Sequence, residues 1–192
     1  MDTVAAPRRG GAARSEAARI AVLAATASLF AAKGYDHLTI EGIAAEAGVA
    51  KQTIYRWWPS KSAVVAEALI EGRLMPVDLS LPSSGDVRAD VTAWLEGLFR
   101  FVDDPANSAL VRSLIAAAAE SPEIGIRLND ALGATSILTT RLEEAVAAGE
   151  LGLGAPVYEI VESLVGAVVI HALRREPSPP GIAGRLVAVL LR

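Results

Sequence analysis

The stretch that decides the fold is TIEGIAAEAGVAKQTIYRWWPSK, residues 39–61. Two short helices that meet across a sharp turn need a small residue where they touch and a reversal between them. Ala44 is small, and Gly48 takes without strain the positive φ by which a chain reverses most easily. Ile43, Ala47, Val49 and Ile54 fall where they bury the inner faces of both helices. Thr39 reads as the N-cap of a helix over 40–47, with Glu41 favourably placed at its positive end. A second helix starts near Lys51 and runs toward Pro59. Its outward face is Lys51, Gln52, Thr53, Tyr55, Arg56 and Trp57. Nearly all of these donate to a phosphate or a base edge, and no carboxylate is mixed among them as on an ordinary solvated helix.

Working outward, Ser60 caps a fourth helix that runs to about Leu74 and is closed by Pro76. Upstream, Ile20, Leu23, Ala27 and Phe30 have the spacing of a core-facing helix over 15–33, capped by Ser15 and ended by Gly34. Residues 1–13, rich in Gly, Ala and Arg and without periodicity, read as a flexible arm, with Arg8, Arg9 and Arg14 either reaching toward phosphates or forming a loose charged tail. Arg8-Arg9 before the uncharged run 20–32 imitates a secretory leader, but Glu16 and the amphipathic spacing argue for a core helix. No stretch reads as the 18 or so apolar residues of a membrane span, so a cytoplasmic chain is expected.

Downstream, Pro76, Pro82 and Ser83-Ser84-Gly85 form a connector. Helices follow over 87–102, 106–119, 123–148, 157–175 and 182–191, separated by Asp104-Pro105, Ser121-Pro122, the segment 149–156 and the segment 177–181. No alternating strand pattern occurs, and the fold class is all-α. Composition agrees: 52% hydrophobic residues suffice for a packed core, and the prevalence of Ala and Leu favours helices. The absence of cysteine excludes disulfides, thiolate metal sites and a Cys nucleophile. The net charge of −4 divides unevenly, with nine basic against seven acidic residues up to Met75 and nine against fifteen beyond it. A mildly basic part on an acidic body suits a modular DNA binder.

TIYRWWPSK at 53–61, with the Gly34-Tyr35 pair before the second helix, resembles the TetR family of transcriptional regulators, and the resemblance extends over residues 14–74. It implies a three-helix helix-turn-helix domain over 14–75, which should hold a small core of its own, and a ligand-binding and dimerisation domain over 76–192. Carried onto this chain, Gln52, Thr53 and Arg56 are candidates for base edges. Thr39, Tyr55, Trp57 and Lys61 are candidates for phosphate, Lys51 shares the outward face, and Trp58 takes the family's buried aromatic position. Trp57 departs from the family, which usually has a smaller polar or aromatic residue such as His there.

The family further implies a repressor that leaves a palindromic operator when a small molecule binds the body. No cofactor or metal is implied. The apolar stripe Ile160, Leu164, Val168 and Ala172, with Val161 and Val165 beside it, and the apolar end of the last helix suit a homodimer formed through 157–192. Trp94, Phe99, Phe101, Leu114, Leu128, Leu138, Tyr158 and His171 are candidate liners of a pocket for a hydrophobic effector, with Tyr158 or His171 to orient it. The competing reading is a helical small-molecule binding module without operator function. An enzyme is not expected. Gly149, Gly152 and Gly154 make no phosphate cradle, the pairs Asp103-Asp104 and Glu143-Glu144 diverge, and the sequence suggests no Ser/His/Asp set.

Overall fold

The computed structural model describes residues 9–74 and 78–192, and all regular structure among them is helical. Ten helices follow in order: α1 Arg9–Lys33, α2 Ile40–Glu46, α3 Lys51–Tyr55, α4 Lys61–Ile70, α5 Val87–Asp103, α6 Pro105–Glu120, α7 Pro122–Leu132, α8 Ala134–Ala147, α9 Val157–Arg174 and α10 Ile182–Leu190. The caps expected at Thr39 and Ser60 are in place. Thr39 Oγ1 accepts from Gly42 N at 3.0 Å and Ser60 Oγ from Ala63 N at 3.2 Å. Asp104 closes α5 and opens α6, accepting from the Ala106 and Asn107 amides.

Several boundaries differ from the sequence reading. α1 begins at Arg9, so Ser15 lies inside the helix and 9–13 are not arm; residues 1–8 fall outside the described residues. The helix expected over 123–148 is two, broken at Gly133, whose φ of 65° no L-residue adopts cheaply. α4 stops at Ile70, short of Leu74, because Gly72 turns left-handed at φ 66°.

One helix passes a test the sequence was expected to fail. Ser15–Lys33 is long and apolar enough by length and composition to cross a membrane, with mean hydropathy 1.3. Alanine accounts for much of that value. The helix packs Val22, Leu23 and Ala25 into the interior, and its Arg19 pairs with Glu16 and Glu71.

Two apolar cores organise the chain. The first takes Val22 and Leu23 of α1, Ile43 and Ala44 of α2, Ile54 of α3 and Val64, Val65 and Leu69 of α4. It is completed by Leu110 and Leu114 of α6 and Leu128 of α7, so the core of the first four helices is shared with α6 and α7. The second joins α5, α8, α9 and α10 through Val91, Leu95, Leu138, Leu142, Leu164 and Val187. The stripe assigned to a partner subunit is thereby corrected. Ile160, Val161, Leu164 and Ala172 are buried within the chain, and Val187 and Leu191 are buried in the same core, where α10 lies on α5. α9 is apolar on more than one face, and periodicity alone cannot say which face turns inward.

An ionic network, unforeseen from sequence, sets α5 against α8. Arg141, 5% exposed, meets Asp90 at 2.9 Å and Glu150 at 3.1 Å. Asp90 also accepts from the Ser84 amide and hydroxyl, and Glu150 from the Val87 amide at 2.7 Å. Burial pushes the Asp90 carboxyl up, but the Ser84 hydroxyl and the Arg141 guanidinium outweigh it and hold it below its ordinary value.

Candidate nucleic-acid interface

The reversal after α2 is held by its backbone. Gly48 has φ 65°, and nothing stands within 4 Å of where its Cβ would be, so conformation and not crowding demands glycine. Val49 N donates to Ala44 O at 3.0 Å, and Ile43, Ala44 and Ile54 are buried beneath the turn. The second helix is shorter than expected. Arg56 is its C-cap, and Trp57 and Trp58 lie in the turn before Pro59, although Trp58 N still donates to Ile54 O at 3.0 Å.

Lys51, Gln52, Tyr55 and Arg56 are exposed on this element, Thr53 and Trp57 are half-buried, and Trp58 is buried. The element itself carries no carboxylate, but one reaches it from the neighbouring helix. Glu41 on α2 meets Lys51 Nζ at 2.8 Å, and that hydrogen bond raises the Lys51 ammonium and lowers the Glu41 carboxyl from their ordinary values. Lys61 is also engaged. Its Nζ donates to Tyr35 O at 3.1 Å and stands 3.9 Å from the centre of the Tyr35 ring, while the Tyr35 and Ser62 hydroxyls meet at 3.2 Å. Lys61 thus ties the turn after α1 to the start of α4. Thr39 spends an acceptor lone pair on its cap and keeps its O–H proton for another partner. Arg56 lies over the Trp57 ring at 5.5 Å, and among the described residues no ion pair engages it.

Behind this face, the Glu67 carboxylate on α4 takes two 3.0 Å bonds from Arg127 on α7 and lies 3.6 Å from Arg19 on α1. Neither link was legible in sequence, since Glu67 and Arg127 are 60 positions apart.

The candidate pocket liners separate into groups. Phe101, Leu114 and Leu128 come together on an apolar groove of about 240 Å³, with Leu110, Val165 and Val168. The remaining lining side chains are likewise Leu, Ile, Val or Ala. The others lie elsewhere. Leu138 is sealed in the second core, and Trp94 donates its indole N–H to Leu79 O at 3.0 Å. Phe99 packs edge-on to His171, and Tyr158 is 72% exposed at the start of α9. Tyr158 and His171 are therefore not placed to orient a molecule in the groove.

His171 does meet an acid and a hydroxyl, which the sequence did not suggest. Its Nε2 stands 3.0 Å from both Asp103 Oδ1 and Ser178 Oγ. A nucleophile relay needs the acid and the hydroxyl on opposite ring nitrogens, and here both crowd the same one. Ser178 also gives its amide and its hydroxyl to Asp103, each at 2.9 Å, so the cluster pins the segment after α9 to the end of α5. Burial raises the Asp103 carboxyl, and the bonds from His171 and Ser178 bring it below its ordinary value.

Comparison with known proteins agrees with this arrangement. Residues 22–68 match the family described as bacterial regulatory proteins, tetR family, and residues 81–190 match the Tetracyclin repressor-like C-terminal domain. The uncharacterized HTH-type transcriptional regulator Mb1581 of Mycobacterium bovis is 30% identical over 179 residues, covering 88% of this chain and 84% of its own length. The DNA-binding transcriptional repressor TetR of Mycobacteroides abscessus is 28% identical over 178 residues, covering 91% and 92%. The crystal structure of the TetR family transcription regulator SCO0332 superposes with a TM-score of 0.62 at 32% identity, covering 91% of this chain and 96% of that one. A helix-turn-helix on one core, a second helical core behind it and family matches over both parts have one meaning: the chain belongs to the TetR family of DNA-binding transcriptional regulators.

Proposed function

We propose that this regulator is a dimeric repressor that leaves its operator when a small apolar molecule enters the groove between its two cores. The groove carries the proposal. Its lining is wholly apolar, so a buried portion of the effector bearing an unpaired polar group would lose about 1–3 kcal/mol for that group. A hydrocarbon or weakly polar compound fits such a wall; a sugar phosphate does not.

On the DNA side, Gln52 and Thr53 at the start of α3 and Arg56 at its end read base edges. Thr39 and Tyr55 donate to phosphates, joined by Lys51 and Lys61 once they exchange Glu41 and the Tyr35 carbonyl for the backbone. The dimer forms through the outward face of α9. Ile170 is 54% and Leu173 51% exposed there, and the place where a Cβ of Gly166 would stand is open, so a second helix can approach closely. The repressor sign agrees with the name of the Mycobacteroides abscessus relative.

The test combines gel shift on the DNA upstream of the protein's own gene with a thermal-shift screen of lipophilic and of strongly anionic compounds. Lipophilic hits that raise Tm and release DNA are expected, with a coupling of about 1–3 kcal/mol. Release by phosphorylated compounds alone would end the apolar-groove reading, and a monomer in light scattering would end the dimer.

A further inference from the structure

We propose that Trp57 is a positioning residue for sequence reading, a shelf that fixes the Arg56 guanidinium in the pose in which it takes a guanine edge. This rests on the reading of Arg56 as a base contact.

Three cations lie on or beside the reading element, and two are committed elsewhere. Lys51 is paired with Glu41 at 2.8 Å, and Lys61 is bonded to Tyr35 O and seated on the Tyr35 ring. Arg56 has neither kind of tie; its partner is the indole face of Trp57, 5.5 Å from ring centre to guanidinium carbon. That distance lies within the roughly 6 Å over which a cation is held by an aromatic quadrupole. The indole is itself held. Trp57 is half-buried, packs against the first core and meets Trp58 edge-on, with ring centres 5.5 Å apart and planes at 67°. Trp58 is 5% exposed, so the shelf stands on a fixed wall.

The backbone needs such a device at this place. Arg56 is the C-cap of a five-residue helix and lies where helical bonding is ending, so the helix alone positions its side chain poorly. A free arginine also carries rotamer entropy that a bidentate contact must remove, and a preformed pose lowers that cost. The chemistry recognised is a planar pair of acceptors, the O6 and N7 of guanine in the major groove, which matches the guanidinium fork. An indole that stacked on sugar or donated to phosphate would be indifferent to sequence. The shelf therefore acts on discrimination and not on general affinity.

The experiment selects binding sites from a random double-stranded DNA pool with the full-length wild type. It then measures affinity on the selected site and on single base-pair variants, at several salt concentrations, for Arg56→Ala, Trp57→Leu, Trp57→Phe and Arg56→Ala/Trp57→Leu. Leucine keeps apolar bulk without the quadrupole, and phenylalanine keeps a smaller aromatic face, so a folding defect common to both is recognised by its thermal melt. Arg56→Ala should flatten preference at one base pair of each half-site. Trp57→Leu should weaken that same preference by about two- to fivefold, the worth of an exposed cation–π contact, with Trp57→Phe in between. The slope of log affinity against log salt should be unchanged in Trp57→Leu, and the double variant should lose no more than Arg56→Ala. If Trp57→Leu weakens all sequences alike, changes the salt slope or adds fully to Arg56→Ala, Trp57 is a DNA contact in its own right and the shelf is refuted. If Arg56→Ala itself leaves every base preference intact, the base-reading role of Arg56 falls first, and the shelf with it.

Discussion

The two cores of this molecule are held by different forces. The first is apolar apart from buried hydroxyls such as that of Thr26, and its charges, Arg19, Glu67, Glu71 and Arg127, lie partly exposed at the rim. The second has a buried ionic network set against it, with Asp90 3% and Arg141 5% exposed. Apolar packing has no preferred direction, so helices held by it alone can slide and repack. A network of Arg141 with Asp90, Glu150 and the Ser84 and Val87 amides tolerates only one register. The apolar groove lies on the seam between the two. Leu110, Leu114 and Leu128 come from the first core, Val102 from the second, and Phe101 packs on both. On the proposed reading, a molecule wedged into that seam would push the core that carries the reading helix against one whose register is fixed.

The comparison can be broken most decisively by cutting the chain. Residues 1–74 alone lose Leu110, Leu114 and Leu128 from their core, at about 1.5–3 kcal/mol for each buried leucine. That loss rivals the whole stability of an ordinary domain, about 5–15 kcal/mol. The fragment should show no cooperative thermal transition by circular dichroism; a sharp one would prove the first core self-sufficient.

Next in size is the ionic network. Asp90→Ala leaves Arg141 buried without one of its two acids, and a loss of about 3–5 kcal/mol is expected in urea unfolding. The acid response follows from the sign of the shift. The Asp90 carboxyl is held below its ordinary value, so its contribution is complete above the unfolded value near 4 and is lost as the pH falls through the lower, folded one. Wild-type stability should thus fall below about pH 4, and Asp90→Asn should fall less steeply. Equal slopes would remove the network from the account.

The smallest effect sharpens the comparison. Arg127→Gln cuts a rim ion pair whose arginine is 40% exposed, so stability should change by no more than about 1 kcal/mol. Arg127 neighbours the groove residue Leu128 and joins α7 to α4. The same variant should therefore reduce the coupling between an effector found in the screen and operator binding, read by gel shift with and without that compound. Unchanged coupling would show that the seam acts on the head through packing alone.

What was legible in the sequence was local. Thr39, Ser60 and Asp104 announce helix starts through side chains that satisfy amides a few residues away, and Gly48 announces a turn by its freedom at positive φ. The break at Gly133 was hidden because the apolar period of α7 runs on into α8. The pairings of Lys51 with Glu41 and of Arg141 with Asp90 span 10 and 51 positions, and tertiary placement alone creates them. For the pocket liners, residue type was informative and direction was not. Phe101, Leu114 and Leu128 face the groove, whereas Leu138, equally apolar, faces the other core.

Gly133 also marks a crossing. The chain gives α1–α4 to the first core and α5 to the second, returns at Asp104 to add α6 and α7 to the first, then leaves at Gly133 to finish the second with α8–α10. Units that alternate along a chain in this way are laced together, not strung like beads. Neither can melt without pulling helices that are covalently continuous with the other, so the molecule should lose its order in one step, and a regulator built like this cannot shed a damaged half and keep a working one.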